Sequence, residues 1–258
     1  MRVTPVEAFS DNYIWLIEPR DAPGRVLVVD PGDAAPVLDA LTAGHLQLAG
    51  ILLTHHHPDH IGGVARLLEV AGAVPVAGPD DGRIPYLTQR VSDGTQVGFP
   101  ELGLVFETWS LPGHTLSHVG YLGYGALFCG DTLFSAGCGR LFEGSAQQMN
   151  DSLHRIAALP PDTAVYAAHE YTSANLAFAL AVEPANEELR RYRTAVATRR
   201  AANQPTLPSS IAVERDVNPF LRCERPTVRG AAERHAGRTL ADPGEVFAVL
   251  RSWKDGFR

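Results

Sequence analysis

The sequence predicts an α/β protein in which sheet is layered against helix, followed by a helical C-terminal part. Three observations predict it. Short apolar runs of β type alternate with helical patterns through the first two-thirds of the chain. The histidines and aspartates that could carry chemistry mostly stand directly after those runs, where rigid strand ends could support them. After Tyr171 the strand signals nearly stop and long charged helical patterns take over.

The elements follow in order. Tyr13–Ile17 and Val26–Asp30 read as strands, and the second closes in the turn signal Asp30-Pro31-Gly32. Ala34–Ala43 reads as a helix, Leu48–Thr54 as a strand, and Gly62–Ala71 as a second helix. Ala73–Ala77 is a short strand. Leu104–Trp109, His118–Leu122 and Ala126–Cys129 are three more. Met149–Leu159 is a helix and Ala164–Ala167 the last strand. Beyond it, Ser173–Val182 and Asn186–Asn203 read as helices, and the Pro-rich stretch 204–210 breaks the second. Thr227–Ala236 and Asp242–Lys254 close the chain as helices, with Asp242-Pro243 supplying a cap and first turn. The pattern divides the chain into residues 1–171, the layered domain, and residues 172–258, a helical domain.

Composition narrows the function. The chain of 258 residues carries a net charge of −7, which argues against general nucleic-acid binding. Residues 1–171 hold 8 Arg against 19 Asp and Glu, whereas residues 172–258 hold 14 Lys and Arg against 10 acids. Acid is thus concentrated where cations could bind, and the basic part could attract an anionic substrate or form an ordinary solvated helical surface. No run of apolar residues is long enough for a membrane span, and the start of the chain lacks the pattern of a secretory signal. Three scattered cysteines make no disulfide framework. A monomer in the reducing cytoplasm, free of membrane and nucleic-acid partners, is expected.

The densest chemistry is Thr54-His55-His56-His57-Pro58-Asp59-His60, joined by His114, Asp131 and His169, each after an apolar segment. In extended chain, positions i and i+2 point the same way, so His55 and His57 can reach one ion while His56 points elsewhere. A turn at Pro58 can bring Asp59 and His60 to a second ion. Neutral imidazole and carboxylate suit zinc, iron or manganese, with zinc expected. Two ions about 3.5–4 Å apart need a shared ligand, and a carboxylate has two oxygens, so Asp131 is the natural bridge. His55, His57 and His114 are assigned to the first ion, and Asp59, His60 and His169 to the second. A water between the two ions would ionise near a pKa of about 7 and give a bridging hydroxide. His56, His118 and His154 read as packed or surface residues. Asp30 reads either as a turn residue or as a partner that orients a ligand histidine.

This pattern resembles the metallo-β-lactamase superfamily, whose fold is an αββα sandwich with metals at one edge. The match narrows at Gly130–Arg140, His169-Glu170-Tyr171-Thr172 with Asn175, Phe9–Tyr13, Asn218–Arg222 and Arg251–Asp255. These segments are similar to the hydroxyacylglutathione hydrolases, or glyoxalase II family. The resemblance implies hydrolysis of S-D-lactoylglutathione and related thioesters to D-lactate and glutathione on a binuclear centre. Asp59 and Asp131 would be the catalytic carboxylates, and Arg140, Tyr171, Arg251 and Lys254 the contacts to glutathione. The alternative for Arg251 and Lys254 is a place on an exposed final helix. A thioester suits the residues, because a thiolate with a conjugate-acid pKa of about 8.5 departs without a strong general acid.

Two departures from the family pattern stand out. Arg140 replaces a frequent lysine and keeps the charge. Phe142 replaces a frequent tyrosine and loses a donor, which should weaken glutathione binding by about 0.5–1.5 kcal/mol. Persulfide dioxygenases, with one iron, share the early histidines but do not need all seven donors. A non-catalytic glutathione- or metal-binding module needs no intact nucleophile site, and the Asp131 segment fits neither a β-lactamase nor a nuclease.

Overall fold

A run of buried aliphatic residues with no polar interruption belongs in the interior of a parallel sheet, covered on both faces. Val26–Val29 and Ile51–Leu53 are of this kind, and every one of them is buried. They lie in the two central strands of a six-stranded sheet. The computed structural model describes residues 1–257. In it the chain forms two compact units, Met1–Ser110 with Ser117–Gly130, and Leu111–Leu116 with Asp131 onward.

In the first unit the sheet runs β1 (Arg2–Ala8), β2 (Asn12–Glu18), β3 (Arg25–Val29), β4 (Gln47–Leu52), β5 (Val76–Pro79) and β6 (Gln89–Val91), hydrogen-bonded in that order. The first three strands are antiparallel, and β3 to β6 run parallel. Parallel neighbours need a crossover. Helix α1 (Ala34–Gly44) crosses from β3 to β4, while α2 (Pro58–Ile61) and α3 (Val64–Ala71) cross from β4 to β5. Asp33 caps α1 by accepting from the Ala35 amide. Val37 and Leu41, one turn apart, then face the sheet beside Val64, Leu67, Val28 and Ile51. Burying each such side chain fully contributes about 1.5–3 kcal/mol. Strands β7 (Gln96–Phe99), β8 (Leu104–Ser110), β9 (Val119–Gly123) and β10 (Ala126–Gly130) form an antiparallel meander in the same unit. The Tyr121 hydroxyl of β9 donates to the Leu53 carbonyl at 2.6 Å and joins the meander to the strand that leads into the histidine cluster.

The second unit carries a two-strand hairpin, β11 (Leu133–Phe134) with β12 (Gly137–Cys138), then α4 (Ala146–Ala157) and β13 (Ala164–Ala167). Helices α5 (Thr172–Val182) and α6 (Glu187–Ala201), strand β14 (Ser209–Ser210), α7 (Ile211–Val217), α8 (Pro226–Ala236) and α9 (Pro243–Gly256) complete it. Ser145 and Gln148 close a reciprocal capping box on α4, and Asn186 and Asp242 cap α6 and α9. One core gathers Leu176, Ala179, Leu189, Val196 and Val217. A second stacks Phe178 on Phe220, with Phe247 and Trp253 at the edges. Glu183 is buried at the end of α5, where it receives two bonds from the Arg222 guanidinium and one from the Thr227 hydroxyl.

The elements differ from the sequence pattern in particular places. Strand β5 starts at Val76, three residues after the expected Ala73. Strand β1 was not anticipated. It is an edge strand that holds Pro5, an edge-compatible residue. Helix α7 was missed because its seven residues are too few for a helical period to stand out, and a fully buried Glu214 breaks the apolar face. Among the described residues, no helix is long and apolar enough to cross a membrane.

Candidate metal centre

The first unit supplies four donors from one short segment. Beyond β4 the chain bends at Thr54 and continues without regular structure to His57, which is extended at φ −62° and ψ 145° just before Pro58 opens α2. His55 Nε2 and His57 Nδ1 come to 3.0 Å of each other. One turn of helix then carries Asp59 and His60, with Asp59 Oδ2 3.5 Å from His60 Nε2. Asp59 is also steadied by Asn12, whose side-chain amide donates to Asp59 Oδ2 at 3.1 Å. Gly32 admits this approach of chains, since a Cβ there would lie 1.8 Å from the Asp59 carbonyl oxygen.

Hydrogen bonds on the far side of the rings set the tautomers. Asp30, buried and left-handed at φ 52°, accepts from the Thr54 amide and hydroxyl, each at 2.7 Å. The Thr54 hydroxyl has then spent its proton, so at 3.1 Å it accepts from His55 Nδ1–H. His60 Nδ1 lies 3.0 Å from Asp30 Oδ2 and donates to it. Both rings therefore keep a lone pair on Nε2. Asp30 is thus both the turn residue and the orienting partner.

The second unit supplies three donors. His114 Nδ1 donates to the Arg140 carbonyl at 2.8 Å, which leaves Nε2 as a lone pair. That nitrogen lies 3.4 Å from Asp131 Oδ2, and His169 Nε2 lies 3.4 Å from Asp131 Oδ1. Each carboxylate oxygen thus addresses a different imidazole. All three residues are buried. A Cβ on Gly139 would lie 1.9 Å from the Asp131 carbonyl oxygen, so only glycine lets the chain fold back there. His169 stacks on Tyr171 with ring centroids 4.7 Å apart.

The imidazole–carboxylate spacings fit metal donors better than ion pairs. A charge-assisted hydrogen bond would close to about 2.7–2.9 Å. Two donors on one tetrahedral ion with bonds of about 2.0–2.1 Å stand roughly 3.3 Å apart. The three imidazole–carboxylate separations, at 3.4–3.5 Å, match the second value. Imidazole and carboxylate donors of this kind bind divalent metal ions.

The expected substrate contacts all lie in the second unit. Arg140 is exposed, with Nε 3.5 Å from Asp255 Oδ1. Lys254 is half-buried, and its ammonium donates to the Ala174 carbonyl at 3.2 Å above the Phe178 ring. Burial lowers its pKa, and the Arg251 charge adds to that effect. Tyr171 is partly exposed at the start of α5. Arg251 is not on an exposed face. It is buried over the Phe220 ring, donates to the Cys138 carbonyl at 2.9 Å and to Asp255 at 3.0 Å, and holds a wall of the unit in place. Phe142 is exposed, edge-on to His114.

Two contributors escaped the sequence reading. His118 is packed, as expected, fully buried with its ring stacked on His55 at 4.8 Å. Asp81 accepts from Ser117 at 2.6 Å and lies 3.6 Å from His56, and the Arg83 guanidinium holds its carboxyl well below the usual range. Asn12 sits inside the Phe9–Tyr13 motif, and that motif was the available signal.

Comparison with known proteins bears on this geometry. Residues 9–169 match the family model of the metallo-β-lactamase superfamily, and residues 170–257 match that of the hydroxyacylglutathione hydrolase C-terminus. The chain is 49% identical over 256 residues to a hydroxyacylglutathione hydrolase of Nitrosomonas eutropha, covering 99% of each. It is 52% identical over 258 residues to one of Vibrio parahaemolyticus, covering 100% of each. Among solved structures it is similar to ETHE1 from Myxococcus xanthus, with a TM-score of 0.68 at 25% identity over 98% of this chain and 91% of that one.

Proposed function

The chain belongs to the hydroxyacylglutathione hydrolase family within the αββα metallo-β-lactamase superfamily, and from that premise we propose that it hydrolyses S-D-lactoylglutathione and related S-2-hydroxyacylglutathiones to the hydroxy acid and glutathione. In this reading the donors would hold two divalent ions, zinc foremost and iron or manganese compatible. His55, His57 and His114 would serve one, Asp59, His60 and His169 the other, and Asp131 would be available to both. The observation that carries it is the division of the Asp131 carboxylate between two imidazoles, one to each oxygen.

When bound, such ions supply Lewis acidity toward the thioester carbonyl and lower the pKa of a water to about 7. The residues of the chain do the rest. Asp59, held by Asn12, is the carboxylate suited to hold a proton of the attacking water. Fixed Nδ1–H bonds on His55, His60 and His114 keep their donor nitrogens aimed without reorganisation. The leaving thiolate departs without a strong acid. Arg140, Lys254 and Tyr171 suit the two carboxylates and the peptide of glutathione, and Arg251 steadies Arg140 through their shared partner Asp255. Residues 172–258 are then the substrate-binding part. Three buried free thiols accord with a cytoplasmic enzyme.

Lys254→Ala should raise KM about tenfold with metal content and kcat retained, since it removes one charged contact worth roughly 1.5–3 kcal/mol at most. An unchanged KM would leave Lys254 a packing residue. Phe142→Tyr should lower KM about two- to tenfold by restoring a donor. The test of the whole reading is thioester hydrolysis and metal analysis on one purified sample. Oxygen consumption with glutathione persulfide, and no thioester loss, would replace it.

A further inference from the structure

The hairpin between Asp131 and Arg140 is held by side chains that touch no metal donor. Its two-residue connection contains Ala136 at φ 56°, fully buried, a backbone state that glycine adopts freely and alanine rarely. Strand pairs this short do not fix themselves, and the polar atoms around this one are supplied from outside it. The Asn218 side-chain amide donates to the Phe134 carbonyl at 3.1 Å and to the Gly137 carbonyl at 2.9 Å, one on each side of the connection. The Ala136 amide donates to Glu214 Oε2 at 2.8 Å, and Asn218 also donates to that oxygen at 3.0 Å. Asn175 reaches the Ser135 carbonyl at 3.1 Å. Asn218 and Glu214 are completely buried, one helical turn apart at the end of α7.

The two ends of this hairpin carry atoms of the metal centre. Asp131 precedes β11. Past β12, the Gly139 amide donates back to the Thr132 carbonyl at 3.1 Å, and the carbonyl of the following residue, Arg140, accepts from the His114 ring. The distance between the Asp131 carboxylate and the His114 nitrogen therefore depends on how the hairpin closes.

We infer that Asn218 and Glu214 are positioning residues, a buried clamp by which α7 sets the Asp131–His114 pair through the 133–138 hairpin. The inference rests on the metal-centre reading above. Neither residue contacts substrate. Their effect should be on metal affinity and on kcat, with the glutathione end of the site left alone.

The test uses the full-length protein stripped of metal and reloaded with zinc. Zinc affinity is read by competition with a chelating dye, alongside kcat, KM and the unfolding midpoint of the metal-free form. Asn218→Ala should weaken zinc binding about 10- to 100-fold and lower kcat, with KM changed less than about twofold. Asn218→Ser, which keeps one donor, should lie between it and the parent, and guards against a failure of the alanine variant to fold. Glu214→Gln retains an acceptor for the Ala136 amide and should rescue most of the affinity that Glu214→Ala loses. A lowered midpoint with unchanged zinc affinity in the Asn218 variants overturns the clamp and leaves a merely structural role. A parent protein that takes up no zinc or other divalent ion overturns the metal-centre reading, and the clamp with it.

Discussion

Asp131→Ala is expected to cut thioester hydrolysis by at least about a thousandfold and to lower bound metal in the same sample. The physical reason is the geometry of one carboxylate. Its oxygens stand 3.4 Å from His114 Nε2 and 3.4 Å from His169 Nε2, too far for strong hydrogen bonds and right for donors that share ions. Alanine removes the negative charge between those rings and leaves the two lone pairs without a common centre. Asp131→Asn separates charge from shape, because it retains the size and one oxygen but carries no charge. It should also fail, with a smaller loss of metal. Rate and metal stoichiometry measured on both variants decide the matter. Normal turnover with full metal in Asp131→Ala sinks the bridge.

The second large effect concerns stability. Arg222→Ala should destabilise the protein by about 3–5 kcal/mol, because it strands a buried carboxylate. Glu183 is 5% exposed, and Arg222 gives it bonds of 2.7 and 3.1 Å, with Thr227 adding one of 2.6 Å. For a chain of this size that loss lowers the thermal midpoint by roughly 10 °C. Acid should narrow the gap. Burial pushes the Glu183 carboxyl up, but the bonds from Arg222 and Thr227 more than reverse this and leave it below the ordinary value of 4.5. A depressed folded pKa gives stability that is complete above the unfolded value and lost as pH falls through the folded one. In the variant, burial acts with less opposition, so the parent loses this contribution in acid while the variant gains. Midpoints that differ by the same amount at pH 7 and pH 4 would exclude this account.

The sequence marked the candidate donors more plainly than the scaffold behind them. His55, His57, Asp59 and His60 were legible because extended chain and a proline turn are local events, written in consecutive residues. The long strands β3, β4 and β8 were legible for the same reason, since burial on both faces or on one shows as a run or an alternation. The layered αββα class, carried by motifs rather than periodicity, is the class to which the chain belongs. Hidden features depended on distant partners. Arg251 was expected as a glutathione contact, with an exposed terminal helix as the alternative, and it is buried against Cys138, 113 positions away in the chain. Asn218 and Glu214 bond a hairpin some 80 residues earlier, and no local pattern announces that. His118 carried no sign that its ring would lie on His55.

Asp30 has a consequence for how such a centre can change over generations. One oxygen of its carboxylate receives both the Thr54 hydroxyl, which holds the ring of His55, and the ring of His60. A substitution at Asp30 therefore disturbs both rings at once, because both hang from a common peg. If the two rings serve separate ions, as proposed, loss of one ion alone would come more readily through a residue that serves it alone, such as Asp59, than through Asp30.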